Sequence, residues 1–123
     1  MKTEIIPIEI FDRDVMVFIG TKDELLEHLG KYNFDGEEDI RDIELPPTGN
    51  AFTIKLPLNA IIYAESKPTI PIMAHEVVHT SKHIMDIVGM QVNDETEELL
   101  AHLVKYLLDR ILTLFYELPC ESQ

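Results

Sequence analysis

The sequence is short of three things: cysteine, positive charge and long apolar runs. Cys120 is the one thiol among 123 residues, so no internal disulfide can form and a reducing compartment is expected. Lys and Arg number 10 against 23 Asp and Glu, a net charge of −13. Phosphate backbones and anionic lipid are bound through cationic groups that displace counterions. The charge balance therefore argues against nucleic acid as a direct ligand and against a membrane surface. No stretch approaches the roughly 20 apolar residues that span a bilayer, and acidic residues interrupt MKTEIIPIEIFDRD before it reaches a signal-peptide core. The expectation is a soluble, cytoplasmic chain. Repeats and low-complexity tracts are also missing. With 46% hydrophobic residues, the length suits one core and a single domain over residues 1–123.

The local patterns read β, β, α, β, β, α, α. EIIPIEIF and VMVFI are short, rich in β-branched residues and separated by DRD, which predicts a hairpin with the Pro7 strand at a sheet edge. Thr21 and Glu24 form a capping box for a short helix that Gly30 stops. Residues 31–50, KYNFDGEEDIRDIELPPTGN, are acidic, broken by Gly and Pro, and aperiodic; a long loop of this kind often carries function. AFTIKLPL and NAIIYAE predict two more strands. Pro68 and Thr69 then open a helix that ends near Gly89, and Asp94 with Glu97 caps a long helix ending before Pro119. The expected architecture is α+β: a small, mostly antiparallel sheet of about four strands with the two C-terminal helices crossing beneath it.

The first of those helices contains His75-Glu76-Val77-Val78-His79. At 100° per residue, Met73, Ala74, Val77, Val78, Ile84, Met85 and Val88 fall on one arc, with His75 and His79 together on the opposite side. Glu76 lies at the flank of the apolar arc. Zinc hydrolases need this division: two neutral imidazoles to hold the ion and a nearby carboxylate that is not a ligand to take a proton. With 5 His and 14 Glu in the chain, composition alone produces the pattern with a probability of roughly two in a hundred. The competing reading is a solvated helix face with two histidines on it.

A catalytic zinc site needs a third protein ligand. On the last helix, Leu99, Leu100, Leu103, Val104, Leu107, Leu108, Ile111, Leu114 and Phe115 make the apolar arc and Glu98 sits opposite it. Ala101, one turn on, is small enough for a close helix approach. Glu97 is the competitor, but a capping role accounts for it and it borders the apolar arc, so Glu98 is favoured.

HEVVH, 18 intervening residues and then ELLAH resembles the gluzincin zinc metallopeptidases, in which HExxH on one helix is completed by the glutamate of an ExxA or ExxS segment on the next. The closest likeness is to small, single-lobe members of phage or mobile-element type, and it covers roughly residues 60–112. The resemblance implies a zincin-like fold, His75, His79 and Glu98 as Zn2+ ligands, Glu76 as general base and a peptide or protein substrate. It also implies NAIIYAE as the cleft edge, where an extended peptide would add as a strand.

The chain departs from larger members twice. The position four residues after the ligand glutamate is acidic there and is His102 here, so Asp94, Glu95 and Asp86 become candidates to orient a ligand. Only 25 residues follow Glu98, leaving no second lobe to stabilise an oxyanion. His102 and Tyr106 are the favoured local candidates, beside His83 and Tyr63. His28 has no partner by spacing and reads as a surface residue. The missing lobe and the acidic segment sustain a second reading, a non-catalytic metal-binding or structural interaction module that could dock on a basic partner. The Leu-rich last helix leaves room for a homodimer.

Overall fold

In the computed structural model the expected hairpin forms, but its turn lies at Glu9–Asp12 and not at DRD, whose Arg13 and Asp14 already belong to the second strand. Strand β1 (Lys2–Ile8) runs antiparallel to β2 (Arg13–Ile19), with Lys2 opposite Ile19 and Ile8 opposite Arg13. A single turn of 3-10 helix, Glu9–Phe11, joins them and closes on Asp12 in the left-handed region at φ 52, where Asp is among the better-tolerated residues. β1 is a sheet edge, so Pro7 removes no ladder donor that a neighbour needs. The structure describes residues 1–32 and 50–118. Most of the acidic segment 31–50, Pro119 and Cys120 lie outside the described residues.

Helix α1 (Lys22–Tyr32) starts with the expected capping box. Glu24 N–H donates to Thr21 Oγ1 at 3.1 Å and Thr21 N–H donates to Glu24 Oε1 at 2.8 Å. That backbone donor holds the Glu24 carboxyl below the usual carboxylate range. The helix runs through Gly30 to Tyr32, two residues past the expected stop; a helical Gly costs about 1 kcal/mol and does not by itself end a helix.

Strands β3 (Ala51–Lys55) and β4 (Ala60–Ala64) form a second antiparallel hairpin. β4 pairs parallel to β2, Val15 opposite Ala60 and Ile19 opposite Ala64. The order β1-β2-β4-β3 makes a mixed four-stranded sheet, antiparallel in two of its three pairings. A parallel pair cannot be closed by a tight turn and needs a crossover; α1 lies on that crossover. One expectation is corrected here: NAIIYAE is not the cleft edge. β4 has partners on both sides, and among the described residues the outer strand on the side of the histidine helix is β3.

Helices cover both faces of the sheet. Leu25 and Leu29 of α1 pack with Met16, Phe18, Ile54, Ile61 and Tyr63 on one face. On the other, Ile6, Val15, Val17 and Ile62 meet Met73, Val77, Ile84 and Met85 of α2 (Ile70–Ile87) and Leu103, Leu107, Ile111 and Phe115 of α3 (Glu97–Phe115). Pro71 near the start of α2 needs no intrahelical donor. At the other end Gly89 adopts φ +81, its N–H bonding Asp86 O at 3.1 Å and Met90 N–H bonding Met85 O at 2.9 Å. This is the left-handed C-terminal stop that favours Gly. The start of α3 corrects a second expectation. The helix opens at Glu97 after Thr96, and Asn93 Oδ1 accepts the N–H groups of Glu95 and Thr96 while Thr96 Oγ1 accepts Asn93 N–H. Asn93, one residue before Asp94, sets the turn. Among the described residues no helix is long and apolar enough to cross a membrane.

A Cβ at Gly89 would meet no atom within 4 Å, so Gly89→Ala isolates the backbone cost of the positive φ. The expected loss is about 1 kcal/mol, read from the urea midpoint at unchanged slope.

Candidate metal centre

HEVVH occupies the first half of α2, and the sheet decides which of its side chains are free. Met73, Val77, Ile84 and Met85 are buried against the sheet. Val78 is 47% exposed and does not belong to the core arc. His75 and His79 stand on the outer surface, as the periodicity predicts. Their rings meet edge to face at 4.7 Å between centroids, and their Nε2 atoms are 3.1 Å apart.

That separation can be tested against an ion. Two imidazole nitrogens on one tetrahedral zinc, each at 2.0–2.1 Å, lie about 3.3 Å from each other. The same pair makes a hydrogen bond in the metal-free chain when one Nε2 carries a hydrogen; a shared ion requires both to be unprotonated. The two imidazoles therefore fit two positions of a zinc site.

Glu76 is only 9% exposed, unusual for a helical glutamate. Thr53, in the middle of edge strand β3, donates from Oγ1 to Glu76 Oε1 at 2.8 Å; the Oγ1 atoms of Thr53 and Thr80 are 3.2 Å apart. The other carboxylate oxygen, Oε2, is 4.0 Å from His75 Nε2. The carboxylate thus sits beside the imidazole pair, fastened on its far side. Neither threonine stands out in the sequence on chemical grounds. The available signal is positional: Thr53 takes the inward alternation of AFTIK, and Thr80 lies one turn past Glu76 on the inner face.

The remaining candidates are placed elsewhere. Glu98 has 85% of its side chain exposed and faces His102, Oε1 to Nε2 at 3.4 Å. Tyr116 O–H reaches the carbonyl of Pro68, so the end of α3 meets the start of α2 and the two helices run antiparallel. Glu98 is in the first turn of α3, after the connection that follows α2. Among the described residues no three His, Cys, Asp or Glu side chains are grouped so as to hold an ion. Glu97 is exposed at the first position of α3.

His102 and Tyr106 line a cleft of about 530 Å³ with Ile8, Glu9, Ile10, Phe11, Leu99 and Leu103; His75, Glu76 and His79 are not among its walls. Tyr106 O–H donates to the carbonyl of Pro7 at 2.6 Å. His83 Nε2 donates to the carbonyl of Leu56 at 2.8 Å, so that nitrogen carries its hydrogen and is occupied. Tyr63 belongs to the opposite face of the sheet, stacked on Phe18, and burial raises its phenol above the ordinary range. Asp86 pairs with Lys82 at 3.4 Å, and Asp94 and Glu95 are exposed. His28 is half-buried with its ring 5.5 Å from that of Phe18, not the surface residue expected. No protein-family model, curated protein or solved structure matches the chain.

Tyr106→Phe removes the hydroxyl that ties α3 to β1. Chemical denaturation is expected to lose about 1 kcal/mol, while Glu98→Ala stays within about 0.5 kcal/mol of the parent, as exposed positions do.

Proposed function

We propose that the chain is a zinc-dependent metallopeptidase in which His75 and His79 hold the ion and Glu76 is the general base. The observation that carries this reading is the division of labour on α2: two exposed imidazoles with Nε2 atoms 3.1 Å apart, and beside them a buried carboxylate with Oε2 4.0 Å from His75 Nε2. A buried glutamate on a helix is costly unless its charge is satisfied or used. Here one oxygen is hydrogen-bonded and the other faces the imidazoles. Glu98 is the third ligand that the HEVVH…ELLAH resemblance implies.

Zinc, when bound, supplies Lewis acidity and a water whose pKa falls from 15.7 to about 7. Glu76 takes a proton from the attacking water at Oε2 and hands it to the leaving amine nitrogen of the peptide. His75 and His79 keep Nε2 unprotonated, their hydrogens moving to Nδ1. Among the described residues the outer edge of β3 has no partner strand, and an extended peptide adding to it would run past Glu76.

The position of Glu98 favours a second reading, a non-catalytic metal-binding or structural module on the same fold. Its carboxylate is solvated beside His102, and a two-imidazole site without a third protein ligand binds zinc weakly and holds no open catalytic position of defined geometry.

Metal content and peptide hydrolysis separate the two readings on tag-free protein. Glu76→Gln is expected to keep one zinc per chain and lose 10²-fold or more in rate. His79→Ala loses both zinc and hydrolysis. Glu98→Ala loses zinc if it is the third ligand and retains it if it is not. A Glu76→Gln chain cleaving at the parent rate would sink the mechanism, and zinc bound without any hydrolysis would establish the module.

A further inference from the structure

The proposed base has an anchor that no motif names. Glu76 extends from α2 under the edge strand, and its two carboxylate oxygens have different surroundings: Oε1 accepts from Thr53 Oγ1 at 2.8 Å, whereas Oε2 is directed at His75 Nε2, 4.0 Å away. Thr53 has a single hydroxyl hydrogen and three oxygens within reach. Glu76 Oε1 lies at 2.8 Å, and Glu76 O and Thr80 Oγ1 lie at 3.2 Å. The carboxylate is the nearest and the only charged acceptor, so it takes the hydrogen. Thr80, fully buried, then donates to Thr53 Oγ1. The result is a chain of donors, Thr80 to Thr53 to Glu76, which polarises toward the carboxylate and leaves it one orientation.

We infer that Thr53 is the positioning residue for Glu76, holding Oε1 from the edge strand so that Oε2 faces the reacting centre beside the histidines. The inference rests on the reading of Glu76 as the base. A glutamate side chain has three rotatable bonds, and burial alone confines it without choosing which oxygen points outward. The hydroxyl makes that choice. Because Thr53 sits in the middle of β3, the base is registered to the strand edge as well as to its own helix.

Thr53→Val removes the hydroxyl at nearly constant volume, and Thr53→Ser restores it without the methyl group. The first readout is the carboxyl ¹³C resonance of Glu76 in the zinc-free chain, assigned by its disappearance in Glu76→Gln. It should move and broaden in Thr53→Val and hold its parental position in Thr53→Ser. The second readout is hydrolysis by the zinc-loaded chain. Thr53→Val should lower kcat by roughly ten- to a hundredfold, the range of changes that disturb the support of a metal-site residue, with KM and zinc content as in the parent; Thr53→Ser should recover the rate. An unmoved resonance would overturn the inference, and so would a moved resonance with parental kcat. A merely structural tie would lower the unfolding midpoint without the kcat loss. If the parent hydrolyses nothing, the proposed function itself falls. That failure is distinct from failure of the anchor, since the resonance is read without zinc.

Discussion

β4 has no solvent-facing side. Its five residues, Ala60 to Ala64, are all buried and pair with β2 on one edge and β3 on the other. A strand buried on both faces requires a helical layer on each, and the chain supplies α1 on one side and the α2 and α3 pair on the other. The placement of α2 follows. It leaves β4 after a five-residue link, packs back over β4 and β3, and spends Met73, Val77 and Ile84 on the sheet. What remains outward, at the angles the sheet cannot reach, is His75 and His79. The presentation of the imidazoles is therefore a consequence of how the central strand is covered.

The same geometry explains why Glu76 is buried while its neighbour His75 has 68% of its side chain exposed. One helical step of 100° carries the chain from the outer surface to the flank above β3, where Thr53 is within hydrogen-bonding distance. An aliphatic residue at position 53 would leave that carboxylate oxygen under the strand without its donor, at a cost of about 1–3 kcal/mol. The threonine makes the buried position tenable and gives the two carboxylate oxygens unequal roles. The exposed Glu98 and His102 pair, by contrast, is an i,i+4 contact in water, worth a few tenths of a kcal/mol.

Elements with local causes were legible in advance. The Thr21 and Glu24 capping box, the stop at Gly89, the edge placement of Pro7 and the outward face of HEVVH all depend on residues within one or two turns of each other. Errors had two kinds of cause, local signals that are individually weak and contacts that are distant in the chain. Gly30 stays helical because local propensity is weak. Asn93 displaces Asp94 because the turn before α3 closes on Asn93 Oδ1 and the Thr96 hydroxyl together. Val78 looks like core on a helical wheel and is half-exposed because the sheet covers only part of that arc. Tyr63 alternates onto the α1 face, a fact set by which way β4 enters the sheet.

By itself the sequence determined the element order, the amphipathic faces of α2 and α3, and the presence of two imidazoles and a carboxylate at the spacing that zinc hydrolysis uses. These follow from 3.6- and 2-residue periodicities that no tertiary contact has to supply. Tertiary structure alone decided that β4 lies between β2 and β3, and that Thr53 meets Glu76. The β2–β4 pairing and the Thr53–Glu76 bond join residues twenty or more positions apart, and strand pairing and helix packing bring such residues together through contacts that leave no periodic trace in the chain.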